Sequence, residues 1–248
     1  GLLNAVEEII RPDSFMVSYT GERESVEQIQ KLCGELKKSL PQHTSQVPSV
    51  SITCEKKNEG FKTSGQVQYV AKCGNFVKKG YAYTGALEIL KVALSYDYLW
   101  INLRVKGGAY GCMSGFKRNG ESFLVSYRDP HLKRTLEVYQ GVPDYIRAFE
   151  ADEREMTKYI IGTISNKDVP RTPQMQGSIS KTAYFSNVTE DMLQKERNQI
   201  LGAQKEDIQK LAALVEAVLS DDQICVVGSE TAIEKAEDVF MEVKPLIG

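Results

Sequence analysis

Apolar residues along this chain follow two periods, and the switch between them separates helices from strands. Over residues 84–103 the period is close to four. Ile89, Val92, Ala93, Tyr96, Leu99, Trp100 and Leu103 recur on one face, which predicts a buried helix. After Gly107-Gly108 the period drops to two. Residues 109–116 and 121–127 alternate as strands do, and Asn119-Gly120 between them is a strong hairpin signal. On that register Tyr110 opens the first strand and shares a face with Cys112, Ser114 and Phe116. Gly111, Met113, Gly115 and Lys117 share the other.

The same reasoning extends over the rest of the chain. Residues 2–10 read as a short helix ended by Arg11-Pro12, and residues 15–19 as a strand. Val26, Ile29, Cys33, Leu36 and Leu40 mark a helix face up to Pro41. Residues 41–65 are polar and irregular, with a short strand near 50–54; residues 65–71 form the next strand. Asp129 is a good N-cap for a helix with Pro130 at its first position, and Gly141 and Pro143 should interrupt that helix. Helices over 152–165, 173–184, 189–201 and 204–219 come next, then a strand at 223–227 and a closing helix capped by Ser229. Segments 15–22 and 223–230 share the order strand, glycine, acidic residue, which predicts both strands in one sheet. The class expected is α+β, a largely antiparallel sheet with helices packed on one face. Residues 1–248 read as a single domain with a small helical subregion at about 152–220.

Arg104 ends the buried helix and Tyr110 comes six residues later, so a cation and a phenol stand on rigid elements either side of a glycine pair. Spacing leaves two readings open. Either the pair faces a site, or Arg104 complements the helix dipole and Tyr110 is a strand residue with its hydroxyl on a surface partner. Phosphate binding has little support, because the glycines match neither G-x-x-x-x-G-K-[ST] nor G-x-G-x-x-G.

The run Tyr98-Leu-Trp-Ile-Asn-Leu-Arg-Val-Lys-Gly-Gly-Ala-Tyr-Gly111 resembles the last domain of the pitrilysin/insulinase metallopeptidases, in the branch that includes the presequence proteases. The resemblance extends to Ser126-Tyr-Arg-Asp-Pro130 and, loosely, to most of the chain. It implies a two-half, clam-like zinc peptidase that hydrolyses unstructured peptides in a closed chamber. The N-terminal half would hold zinc on an H-x-x-E-H motif, outside this chain. This C-terminal half would contribute Arg104 and Tyr110, which bind the substrate backbone and stabilise the oxyanion. Its partners would be the N-terminal half of the same polypeptide and peptide substrates.

The chain has only two histidines, His43 and His131, and neither lies in H-x-x-E-H. A catalytic zinc needs about three protein ligands, so no metal or other cofactor is assigned here and the segment alone is expected to be inactive. His43, in a polar loop, and His131, in the first turn of a helix, read as surface residues. A net charge of -2 over 248 residues, with both signs interspersed, points to neither nucleic acid nor membrane. No apolar run reaches the ~18 residues of a membrane span. Five cysteines, Cys33, Cys54, Cys73, Cys112 and Cys225, lack C-x-x-C spacing and argue against a disulfide framework. Most should be buried thiols, with Cys112 the one to test for reactivity. The cysteines favour a reducing compartment, a bacterial cytoplasm first and an organelle matrix second. The competing functions are a non-catalytic scaffold or subunit of the same family and an unrelated α+β binding module. A scaffold has no physical need for Arg104 and Tyr110 together.

Overall fold

The computed structural model describes residues 2, 9–41, 51–53 and 55–247. Most of the helix expected at 2–10, the ends of the strand expected at 50–54, His43 and Cys54 lie outside the described residues. The chain divides into two compact units, residues 1–54 with 169–190, and residues 55–168 with 191–248. The first contains the helices Val26–Ser39 and Pro173–Phe185, the latter capped by Thr172, whose hydroxyl accepts from Met175 N–H. Residues 15–19 are not a strand, contrary to their alternation. Among the described residues this unit has no second strand to complete a ladder, so the expected echo with β5 fails with it.

The second unit is built on one six-stranded sheet. Its strands are β1 (Glu59–Thr63), β2 (Gln68–Asn75), β3 (Gly111–Phe116), β4 (Glu121–Asp129), β5 (Gln223–Ser229) and β6 (Glu242–Pro245). Their order is β3-β4-β2-β5-β1-β6, with β3-β4, β4-β2 and β2-β5 antiparallel and β5-β1 and β1-β6 parallel. The sheet is therefore mostly antiparallel, as expected. β1 and β6 have no counterpart in the sequence reading. β1 is pinned by Asn58, whose side-chain Oδ1 accepts from Ile224 N–H at 3.0 Å and whose carbonyl accepts from Met241 N–H at 2.8 Å. β2 starts later than expected and runs further.

Alternation puts Val70, Leu124, Ser126, Ile224 and Val226 on the core face. The helices Ala86–Ala93, Lys133–Gln140, Ala212–Leu219 and Glu230–Glu234 pack against the sheet. The opposite face, with Tyr69, Met113 and Cys225 exposed and Phe123, Val125 and Tyr127 half-buried, carries no helix among those contacts. The expected interruption at Gly141 is present: one helix ends at Gln140 and the next spans Val142–Arg147. Residues 204–219 likewise split into Lys205–Gln209 and Ala212–Leu219. Buried Glu196 takes both Arg118 from the β3-β4 turn and Lys167 from the end of the helix Glu153–Lys167, which fixes the hairpin tip.

The helix leading to Arg104 departs from regular pitch. After Ala86–Ala93 it continues as π-helical turns over Leu94–Tyr98 and Trp100–Val105. Leu99 N–H reaches back to the Leu94 carbonyl, and Lys106 N–H to that of Ile101. Each π turn inserts extra residues and rotates the next stretch of helix about its axis. Buried positions therefore run Leu90, Leu94, Leu99, Leu103, with a step of five in the middle. Tyr96 (73 % exposed) and Trp100 (40 %), expected in the core, face outward for this reason.

Candidate active-site surface

The outward rotation that removes Trp100 from the core puts it under Arg104. The Arg104 guanidinium carbon lies 4.2 Å from the centre of the Trp100 ring and 5.8 Å from that of Tyr110. The helix end is closed by Gly108 N–H to the Arg104 carbonyl and Ala109 N–H to the Leu103 carbonyl, both 2.9 Å, with Gly108 at φ 77°. A side chain at that φ would be strained. Arg134 donates to the Lys106 carbonyl at 3.2 Å, satisfying another group of the last turn.

The chain then enters β3, and Tyr110 stands just before it. Its N–H donates to the Arg128 carbonyl at 3.3 Å, and its side chain is 58 % exposed. Tyr110 does not share the core-facing environment of Cys112, Ser114 and Phe116 that simple alternation predicts. Its ring packs beside Tyr127, centroids 5.7 Å apart, and the Arg128 guanidinium carbon lies 5.3 Å from the Tyr110 centroid. Gly111 permits this, because a Cβ there would run into the Tyr127 phenol.

Arg104 and Tyr110 are thus brought together, with Trp100, Tyr127 and Arg128 around them. Sequence reasoning misses these last three in that role. Periodicity at constant pitch assigns Trp100 to the core, and nothing in the alternation of β4 distinguishes Arg128. Neither the Arg104 nor the Arg128 guanidinium forms an ion pair or hydrogen bond among the described residues. The cluster offers two uncompensated cations and an exposed phenol, chemistry suited to carbonyl oxygen, carboxylate or developing negative charge.

Around the cluster the groups are held inert. Burial pushes the Cys112 thiol up, and nearby Arg104 only partly opposes this, so the structure does not activate the cysteine singled out for reactivity. The other described cysteines are not the buried thiols expected: Cys33 and Cys73 are half-buried and Cys225 is exposed, because Cys73 and Cys225 point to the face of the sheet opposite Val70 and Val226. Asp129 is not a helix N-cap. It ends β4 buried, accepting from Thr135 Oγ1 at 2.7 Å and His131 N–H at 2.9 Å, and the helix begins only at Lys133. His131 is exposed and precedes that helix. No group of three or more His, Cys, Asp and Glu side chains that could hold a metal ion occurs among the described residues. No described helix is long and apolar enough to cross a membrane.

Comparison with known proteins agrees with this architecture. A family model described as the PreP C-terminal domain matches residues 58–230. Protein HypA of Clostridium perfringens is 44 % identical over 96 % of this chain and 25 % of its own length. Presequence protease 1, chloroplastic/mitochondrial, of Arabidopsis thaliana is 30 % identical over 98 % of this chain and 23 % of its own. The chain thus spans about a quarter of these relatives. Among solved structures, crystalline pitrilysin superposes with a TM-score of 0.56 at 17 % identity, over 82 % of this chain and 23 % of that one. A peptidase M16 inactive domain from Pseudomonas fluorescens gives 0.55 at 15 %, over 90 % and 51 %. These two likenesses establish the fold alone. With a family model covering most of the chain, this polypeptide belongs to the PreP C-terminal domain family, the C-terminal domain of presequence-protease-like M16 peptidases.

Proposed function

We propose that this chain is the substrate-binding end of a zinc endopeptidase that hydrolyses unstructured peptides in a closed chamber, and that it is inactive alone. The zinc site is assigned to the N-terminal half of the full-length polypeptide, where the metal would act as Lewis acid. The observation that carries the reading is the exposed pairing of Arg104 and Tyr110, with no carboxylate among the described residues neutralising the guanidinium. Tyr110 Oη donates to the scissile carbonyl oxygen as negative charge grows on it. Arg104 grips a neighbouring substrate carbonyl or carboxylate through its forked donors and fixes the register. Tyr110 thus favours the transition state over the bound peptide, whereas Arg104 binds the peptide in both.

The test is Tyr110→Phe in the full-length enzyme. Loss of one oxyanion donor costs on the order of 3 kcal/mol, so turnover should fall about a hundredfold. A change of less than about twofold would remove Tyr110 from this role. Arg104→Ala should raise KM as well as lower kcat, and if both stayed constant Arg104 would be a helix-end charge only. The exposed, unneutralised pair counts against a non-catalytic scaffold of the same family, for which these side chains would have no use. A bacterial cytoplasm or an organelle matrix is the compartment we assign.

A further inference from the structure

β4 pairs with β2 in regular register from Glu121↔Asn75 to Ser126↔Val70, then slips, and the next partners are Asp129 and Gln68. Tyr69 therefore faces two residues, Tyr127 and Arg128, in a β-bulge. Arg128 takes the left-handed conformation there, φ 50°. An arginine has no intrinsic preference for that region, and a glycine would occupy it freely. Such a conformation persists only where its surroundings fix it. Here Asp129 anchors the bulge into the core through Thr135 and the His131 N–H, and the Arg128 carbonyl takes the Tyr110 N–H. Bulges re-aim side chains. This one sends the Arg128 side chain to Tyr110, 5.3 Å from its centroid, while Arg104 lies 5.8 Å from the same ring.

We propose that Arg128 is a positioning residue of this site: aimed by the bulge, its guanidinium holds the Tyr110 ring against Tyr127 so that the phenol is presented together with Arg104. The proposal rests on the reading of Tyr110 given above. Arg128 touches the phenol ring and acts through it. Glycine at this position keeps the bulge without the strain, so removing the side chain should lower activity and not stability.

The experiment compares Arg128→Gly, Arg128→Lys, Tyr110→Phe and the double variant Tyr110→Phe/Arg128→Gly in the full-length enzyme, measuring kcat, KM and Tm. Misplacing a catalytic group by a fraction of an ångström is expected to lower kcat about tenfold in Arg128→Gly, with KM within about twofold. Tm should stay or rise, since glycine accepts φ 50° without strain. Arg128→Lys, which keeps a cation at the same backbone, should recover most of the loss. In the Tyr110→Phe background Arg128→Gly should add less than about twofold, because the two act as one unit. If Tyr110→Phe is impaired while Arg128→Gly is not, Arg128 has no part and the Tyr110 reading stands. A fall in both activity and Tm that lysine does not rescue, or an additive double variant, would make Arg128 structural or independent and overturn the proposal. A silent Tyr110→Phe overturns both readings.

Discussion

A guanidinium without a carboxylate partner samples many rotamers unless an aromatic face holds it, and for Arg104 that face is Trp100. At 4.2 Å from ring centre to guanidinium carbon the two form a cation–π contact, worth about 0.5–1 kcal/mol at an exposed position. Trp100 is one helical turn before Arg104, so its ring covers the surface that the arginine stem crosses. Trp100→Leu keeps the apolar bulk but removes the ring quadrupole. In the full-length enzyme it should raise KM about two- to fivefold, the equivalent of that contact, with little change in Tm because the side chain is not in the core. An unchanged KM would mean that Arg104 is held by something other than Trp100. On the proposed reading, Arg104 gains from having no carboxylate partner among the described residues: such a partner would fix it but would also compete with the substrate oxygen.

At the scale of elements, the site depends on how closely β3 can approach the side chains of β4. Gly111 pairs with Tyr127 in the ladder, and the space that a Cβ would fill holds the Tyr127 phenol. Gly111→Ala must swing that ring away, and with it the surface on which Tyr110 packs. Tyr127 is only half-buried, so the ring has somewhere to go. The expected loss of stability is therefore about 1 kcal/mol, the worth of one aromatic pair. The fall in kcat should exceed what that destabilisation explains; parallel kinetics and thermal melts of the full-length enzyme check this, and a kcat within about twofold would show that Tyr127 does not support Tyr110. Much of this architecture was legible. The hairpin at Asn119-Gly120, the helix stop at Gly107-Gly108 and the break at Gly141 all arise from local residue chemistry. The features that escaped are set by distant partners or by backbone irregularity. β1 and β6 are short, polar and paired in parallel to strands far along the chain. Residues 15–19 alternate but find no ladder. The π turns displace Trp100 from a face extrapolated at constant pitch, and the β4 bulge redirects Arg128. Arg104 and Tyr110 could be picked out because glycine chemistry surrounds them, whereas Trp100 and Arg128, though they lie in the runs that carry the family resemblance, have no such turn chemistry beside them.

Across the whole sheet unit, the most consequential polar group is Lys72, which sits at the core face of β2, midway between Val70 and Gly74, and is 2 % exposed. Its ammonium meets Asp222 at 2.7 Å in the turn before β5, and Lys56 lies 3.8 Å from the same carboxylate. The pair links a central strand to the turn before β5 through a charge that folding has stripped of water. Removing the carboxylate leaves that charge buried alone, which typically costs about 3–5 kcal/mol. The Asp222 side chain is 49 % exposed, so solvent can partly replace it and about 2 kcal/mol is the expected loss for Asp222→Asn. Asparagine tolerates the left-handed backbone that Asp222 adopts, φ 47°, so the loss reports the charge and not the turn. Lys72→Met removes the buried cation and its desolvation together, and should change stability by less than about 1 kcal/mol or increase it. Acid provides an independent check. The hydrogen bond from Lys72 holds the Asp222 carboxyl below its ordinary value. A depressed folded-state pKa contributes stability that is fully present above the unfolded value near about 3.9 and is lost as pH falls through the folded one. The unfolding temperature of the transition that contains this sheet should therefore drop as pH is lowered below about 4, with a shallower drop in both Lys72→Met and Asp222→Asn. If Asp222→Asn melted at the wild-type temperature at neutral pH, the pair would be incidental and Lys72 would have to be satisfied by water reaching the core face of β2.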